Sequence, residues 1–220
     1  MKKIYVLDIQ GTNTANVRYA LQNEFEIISI KEPSEIIEHY PNIVLPGNGS
    51  FGYYVSFLKK NKWKNYLKNI IENKNKGKLF SICSGFQSLG KKSEESKDIK
   101  GLELIDYSFY SLKNYFNTNL VINIGRKEIF ELNETRNFKE LKVENKLTFE
   151  NYCKPYFVHG YGAELDLEKA KKNNDFCYLY YEINKQKLLG GILSENFCAT
   201  QFHPELSGDL WQQFMINFFK

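Results

Sequence analysis

Lys78-Leu-Phe-Ser-Ile-Cys-Ser-Gly-Phe-Gln-Ser-Leu-Gly90 is an apolar run that stops at a cysteine, with an amphipathic stretch beginning one residue later. The pattern predicts a strand, a sharp turn and a helix, with Cys83 at the turn. A sulfur so placed stands above the carboxyl end of a sheet and near the positive end of the following helix, where a thiolate is favoured. Gly85, two residues on, lets backbone and substrate approach closely. The amide N–H of Ser84 points out of the turn, where it can meet a developing oxyanion. Taken alone, a cysteine after an apolar run fits a buried, inert thiol as well, and that is the reading for Cys153, Cys177 and Cys198.

Upstream of this stretch, Ile4 to Leu7 reads as a strand, followed by the loop Asp8-Ile-Gln-Gly-Thr-Asn13 and a helical pattern through Val17, Ala20 and Leu21. Glu26 to Ile30 is a second strand, Ser34 to His39 a short helix and Ile43 to Leu45 a third strand. Strands alternating with helices predict an α/β fold with a mostly parallel central sheet flanked by helices. The third strand runs into Pro46-Gly-Asn-Gly-Ser50, at the same sheet edge as Cys83 if the strands are parallel. Ligands of open α/β sheets gather at that edge. Gly47 and Gly49 permit peptide orientations closed to other residues, so an N–H there can turn toward a substrate carbonyl. An ordinary strand-to-helix turn accounts for the same residues.

Helices follow over Phe51 to Leu58 and Trp63 to Ile71, with Lys59, Lys60, Lys62, Lys64 and Lys68 mostly on the solvated side, and Lys74 to Lys78 is a polar turn. After a helix over Phe86 to Leu89 come a polar loop, Lys91 to Ser96, and a short strand, Gly101 to Ile105. From Tyr107 to Tyr152 short aromatic and β-branched runs suggest irregular, antiparallel strands. Tyr156 to His159 is a clearer strand. Cys177 to Ile183 and Lys187 to Leu193 form a hairpin through Asn184-Lys-Gln. Phe197 to Phe202 is a further strand, and Asp209 to Phe219 a helix with Leu210, Phe214 and Phe218 on one face. Additional antiparallel strands are therefore expected in the C-terminal half. No linker or repeat divides the chain, so residues 1–220 are read as one domain.

The chain has 220 residues, 42% of them hydrophobic and 25% charged, enough for one sizeable core and too apolar for global disorder. A net charge of +4, with lysines interleaved by glutamates and asparagines, describes a solvated surface and no nucleic-acid footprint. The opening apolar run is too brief for a signal peptide and no run suits a bilayer, so a cytoplasmic protein without membrane contact is expected. Four irregularly spaced cysteines suit a reducing compartment. Neither Cys-x-x-Cys nor His-x-x-x-His occurs, and no metal or other cofactor is expected.

The second chemical signal is Gln201-Phe-His-Pro-Glu205 at the end of a strand. In extended backbone His203 and Glu205 point the same way, with Pro204 fixing the angle between them. A carboxylate accepting from one imidazole nitrogen leaves the other to take a thiol proton, which is what a cysteine nucleophile needs.

These pieces together resemble the class I (triad) glutamine amidotransferases, whose fold is flavodoxin-like. Within them the likeness is greatest to the glutaminase subunit of imidazole glycerol phosphate synthase. The likeness rests on Leu45-Pro-Gly-Asn-Gly-Ser-Phe51, Ile82-Cys-Ser-Gly-Phe-Gln87, Ser93-Glu-Glu95 ahead of Gly101-Leu-Glu-Leu-Ile105, Tyr156-Phe-Val-His159 and Gln201-Phe-His-Pro-Glu205, in the family's order over nearly the whole chain. The resemblance implies that Cys83 attacks the side-chain amide of glutamine while His203 relays the proton and Glu205 orients it. It implies an oxyanion site made by Ser84 and by one N–H from Gly47, Asn48 or Gly49. It also implies that Gln87, His159 and Tyr161 line the glutamine pocket, and that ammonia passes to a separate (β/α)8-barrel synthase subunit in a heterodimer.

Some positions depart from the family. Ser81 replaces a glycine ahead of the cysteine, and Asn48 replaces a valine in the oxyanion loop. Asparagine tolerates positive φ, so this loop should depend less on a partner for its orientation. Tyr156 retains a gate residue of the barrel-facing side, while Arg126 stands in place of an aromatic gate residue and Leu206 in place of a lysine. Two roles follow: histidine biosynthesis, or a paralogue that supplies ammonia for amidination of a surface-polysaccharide or flagellar-glycan sugar. From another class, a cysteine hydrolase or peptidase could use the same triad.

Overall fold

The computed structural model describes residues 1–117, 119, 122–132 and 154–220. Its strands are β1 (Lys3–Leu7), β2 (Glu26–Ile30), β3 (Asn42–Leu45), β4 (Lys78–Ile82), β5 (Lys92–Ser93), β6 (Ser108–Ser111), β7 (Asn123–Arg126), β8 (Phe130–Leu132), β9 (Tyr156–His159), β10 (Tyr161–Gly162), β11 (Cys177–Ile183), β12 (Gln186–Leu193) and β13 (Phe197–Thr200). The α-helices are α1 (Thr14–Leu21), α2 (Phe51–Lys60), α3 (Trp63–Glu72), α4 (Ser84–Ser88), α5 (Leu112–Tyr115), α6 (Leu167–Lys172) and α7 (Asp209–Phe219).

Eight strands form the main sheet in the order β2-β1-β3-β4-β13-β12-β11-β8. The first five are parallel and the last three run antiparallel to their neighbours. This is the mixed α/β architecture expected, with the 2-1-3-4-5 order of flavodoxin-like sheets in its parallel part. Alternation along β1 divides the core: Ile4 and Val6 pack with Val17, Phe214 and Phe218, whereas Tyr5 and Leu7 pack with Tyr54, Trp63 and Leu67. On the first side Phe80 lies edge-on to Phe214 and Phe218, which locks the last helix to the central strand pair. The β11–β12 hairpin turns through Asn184 and Lys185, both at positive φ, as a two-residue turn of matching twist requires.

Several local expectations change. In place of a helix over Ser34 to His39 there is a single 3-10 turn, Pro33–Glu35, closed by a reciprocal capping box between Glu32 and Glu35. Ile36 then returns to extended backbone and ends the turn. Gly101 to Ile105 is not a strand. Its amides satisfy the carbonyls at the end of α4: Leu102 donates to Ser88 at 2.9 Å and Leu104 to Leu89 at 2.8 Å. Within the polar stretch Lys91 to Ser96, Lys92–Ser93 makes a short parallel pairing with β6. The strand Phe197 to Phe202 stops at Thr200. From the region Tyr107 to Tyr152, β7 and β8 make the antiparallel pairings foreseen, while residues 133–153, Cys153 among them, lie outside the described residues. Cys177 and Cys198 are buried. No helix among the described residues is long and apolar enough to cross a membrane.

Candidate active site

Three loops leave neighbouring parallel strands at one edge of the sheet: after β1, after β3 and after β4. The segment after β13 joins them, because β13 pairs with β4 in register, Thr200 opposite Ile82. The backbone N–H of Cys83 extends that ladder, donating to the Thr200 carbonyl at 2.7 Å. Cys83 sits at φ 48°, ψ −108°, a strained conformation for a residue with a Cβ. The strain is held by β4 on one side and α4 on the other, and it lifts the sulfur off the strand end. The sharp turn foreseen at Cys83 is thus present. The helix behind it is only five residues long, so a macrodipole contributes less than the charges nearby.

The close backbone approach foreseen at Gly85 is present. A Cβ there would lie 2.7 Å from the Leu45 carbonyl oxygen and 3.0 Å from Tyr54 Oη, so its lack of a side chain lets α4 seat against β3 and α2. Tyr54 is buried, and its hydroxyl donates to the Pro46 carbonyl at 3.0 Å, anchoring the next loop. In that loop Gly47 passes directly beneath the imidazole. A Cβ on it would stand 2.5 Å from His203 Cε1 and 3.2 Å from Cys83 Cβ. Asn48 and Gly49 both take positive φ, 68° and 88°. The Gly47 carbonyl accepts from the Asn13 amide at 2.8 Å, which turns the Asn48 N–H to the opposite side of that peptide. The Ser84 hydroxyl donates to the Asn48 carbonyl and ties this loop to the cysteine turn.

The segment after β13 is not extended as far as Glu205. Pro204–Leu206 is a 3-10 turn, which curls the carboxylate back onto the ring. His203 Nδ1 and Glu205 Oε1 are 2.8 Å apart and both residues are buried. His203 Nε2 has no hydrogen-bond partner among the described residues. Burial pulls the imidazole pKa down, but attraction to the nearby Cys83 sulfur and the hydrogen bond to Glu205 outweigh it and raise the pKa to about 10. The ring on the sulfur's side is therefore a strong proton acceptor.

A cavity of about 490 Å³ opens beside the sulfur, lined among others by Asn48, Ser84, Gln87, His159 and Tyr161. Gln87 and His159 each spend polar atoms on the protein itself. The Gln87 amide nitrogen donates to Tyr161 O and Gln201 Oε1. His159 donates from Nδ1 to Tyr161 O at 2.9 Å, which leaves Nε2 to accept from Asn123 Nδ2 at 3.0 Å. Burial pushes the His159 pKa down to about 4, so this ring is neutral. Glu95 and Lys113 place opposite charges on the cavity wall.

Tyr156 and Arg126 face each other across the β7–β9 ladder, and Leu206 follows in the turn after His203. The three share one rim, with Ile122 and Ile124 exposed beside them. Arg126 donates to the carbonyls of Lys154 and Ser207, both at 3.0 Å.

Two residues at this edge escaped the sequence reading. Asn13 closes the first loop and donates from Nδ2 to Glu205 Oε1 at 2.8 Å. Gln201 is fully buried and reaches the Cys83 sulfur. A polar residue two positions before His203 on a buried strand was the signal for Gln201. For Asn13 there was only its position in a loop at the carboxyl edge. Among the described residues no group of three or more His, Cys, Asp or Glu side chains is placed to hold a metal ion.

The CobB/CobQ-like glutamine amidotransferase domain matches residues 10–203 of the chain. The imidazole glycerol phosphate synthase subunit HisH of Pyrococcus furiosus is 32% identical over 208 residues, covering 94% of this chain and 93% of the relative. The imidazole glycerol phosphate synthase hisHF of Emericella nidulans is 28% identical over 94% of the chain, which spans 36% of that longer protein. Among solved structures, PurLQS from Thermotoga maritima superposes with a TM-score of 0.67 at 18% identity, covering 99% of this chain and 97% of that one, a likeness of fold. Since the domain match takes in both the cysteine turn and the histidine that faces it, and a relative above 30% identity runs alongside nearly to both ends, this chain belongs to the class I glutamine amidotransferase family.

Proposed function

We propose that the chain is a glutaminase subunit that hydrolyses glutamine and hands ammonia to a (β/α)8-barrel partner, as part of an imidazole glycerol phosphate synthase. The observation that carries this reading is the buried His203–Glu205 pair, 2.8 Å apart, with its free nitrogen on the side of Cys83 at the floor of a cavity suited to an amino acid. The names of the HisH and hisHF relatives support the choice of synthase.

In the proposed cycle the Cys83 proton passes to His203 Nε2, and the sulfur attacks the side-chain carbonyl carbon of glutamine. Glu205 keeps the imidazolium oriented through Nδ1. The oxyanion is met by the amides of Ser84 and of the Gly47-Asn48-Gly49 loop. His203 returns the proton to the departing nitrogen as the carbon–nitrogen bond breaks, and ammonia leaves. Water then gives a proton to Nε2 while its oxygen attacks the thioester, glutamate departs, and the sulfur recovers the proton. Glu95 and Lys113 suit the ammonium and carboxylate of a zwitterionic substrate. Gln87, His159 and Tyr161 shape the pocket, the first two with polar atoms already engaged.

Residues 1–220 act as one domain in this proposal, working in the cytoplasm. The rim of Tyr156, Leu206, Ile122 and Ile124 is where the barrel docks, and Arg126 braces it. That brace, in place of an aromatic gate residue, favours a second reading in which a related barrel sends ammonia to a sugar instead.

Replacing Cys83 with alanine tests the division of labour. Glutamine-dependent synthesis by the chain and its barrel partner is expected to vanish, and synthesis from added ammonium to persist. Failure of ammonium to rescue would overturn it. Formation of imidazole glycerol phosphate separates the first acceptor from the second, and absence of ammonia release from glutamine would leave the hydrolase or peptidase alternative.

A further inference from the structure

The side-chain amides of Gln87 and Gln201 form a chain whose direction is set at its far end. Gln87 Nε2 lies 2.9 Å from the Tyr161 carbonyl oxygen and 3.0 Å from Gln201 Oε1. A backbone carbonyl can only accept, so Gln87 must meet it nitrogen first. Its other N–H then requires an oxygen from Gln201, and Gln201 is left with its NH2 group toward Cys83, Nε2 to Sγ 3.6 Å. The assignment of oxygen and nitrogen, ambiguous for an isolated amide, is fixed here by a main-chain atom two links away.

Gln201 is fully buried, and its own backbone N–H donates to the Gly190 carbonyl at 2.8 Å, so the stem of the side chain is held as well. The sulfur also lies 3.9 Å from the Val158 carbonyl, which can only accept. Gln201 is thus the side chain that offers the sulfur a donor it can use only as an acceptor. A donor fixed in a dry site stabilises a developed charge without reorganising.

We propose that Gln201 is a further catalytic residue, whose side-chain N–H donates to the Cys83 sulfur and favours the thiolate, with Gln87 and the Tyr161 carbonyl as the positioning groups that hold it in that sense. The step involves one proton, leaving Sγ for His203 Nε2; no other bond is made or broken. This inference deepens the glutaminase reading and rests on it for the role of the sulfur.

The test reads the sulfur directly in the full chain. Alkylation of Cys83 by iodoacetamide, followed by mass spectrometry of its peptide from about pH 5 to pH 10, gives the thiolate midpoint. Gln201→Met, similar in length and without a donor, is expected to raise that midpoint by about one pH unit. Gln87→Met is expected to raise it by less, because the Gln201 amide is then released to rotate. An unchanged midpoint in folded Gln201→Met overturns the proposal. A second measurement needs no variant at Gln201: in wild-type protein labelled with 15N-glutamine, the Gln201 amide resonance should move with the thiolate midpoint and cease to move in Cys83→Ala. An amide signal indifferent to the sulfur overturns the proposal equally. Neither measurement uses glutamine, so a wild-type pair that releases no glutamate would overturn the glutaminase reading and leave this result to stand or fall separately.

Discussion

Asn13 and Glu205, 192 positions apart in sequence, meet through a 2.8 Å hydrogen bond from Nδ2 to Oε1. The same carboxylate oxygen faces His203 Nδ1, and the Asn13 main chain holds the Gly47 carbonyl. Asn13 occupies the N-cap of α1, but its Oδ1 accepts from the Asn16 side-chain amide and not from a backbone N–H of the helix, and its Nδ2 is given to the carboxylate. Asn13→Ala is expected to lower glutamine-dependent turnover roughly 10- to 100-fold, the worth of one hydrogen bond to a charged group. Ammonium-dependent synthesis by the same pair should be unchanged. Equal losses from both nitrogen sources would show that Asn13 serves only the fold.

Gly47→Ala places a methyl group 2.5 Å from His203 Cε1. The ring sits in a buried pocket and cannot yield without leaving Glu205. Displacing it by about 1 Å is expected to cost at least 100-fold in glutaminase turnover. Stopped-flow measurement of glutamate release checks this, and wild-type rates in the variant would show that the ring has room to shift.

Asn48 holds φ at 68°, a value asparagine tolerates and β-branched residues resist. Asn48→Val is expected to lower stability by about 1–3 kcal/mol or to force the loop into another orientation. The wild-type chain without its partner should then show glutamine turnover that Asn48→Val lacks. A wild-type chain silent on its own would remove the link between this residue and independence from the partner.

The neutral state of His159 has a consequence for stability. Its pKa falls from 6.5 to about 4 on folding, chiefly through burial. Between those values the unfolded chain binds the extra proton, so stability rises with pH across this window and is lost as pH falls toward 4. The full effect is at most about 3 kcal/mol. His159→Gln, which can keep a donor toward Tyr161 and an acceptor toward Asn123, should flatten the dependence. Urea midpoints of the two proteins at about pH 4.5 and pH 7 would show it, and parallel curves would count against a buried neutral ring.

The parallel half of the sheet was legible because β1, β3 and β4 are short apolar runs buried on both faces, each followed by a helix. The convergence of Cys83, His203 and Glu205 was legible because each lies just past the end of a strand in the parallel part of the sheet. What the residues did not disclose were contacts whose geometry is set by tertiary packing. Gly101 to Ile105 has the composition of a strand but lies where its amides can cap a helix. Glu205 was expected on an extended backbone, and the 3-10 turn after Pro204 brings it back instead. Gly85 was read as allowing close backbone approach, but which backbone, that of Leu45 on another strand, was not legible. Asn13 could not be paired with Glu205 from sequence, since nothing local marks a bond across 192 positions.

The insertion of β13 between β4 and β12 has a temporal meaning for the cell. A ribosome delivers β4 and its cysteine long before the strand that carries the imidazole and the carboxylate. Until that late strand slots in, the emerging polypeptide has a thiol without a base and an unzipped edge down the middle of its sheet. A copy cut short before that strand therefore holds the cysteine turn without the ring and carboxylate that face it in the finished fold.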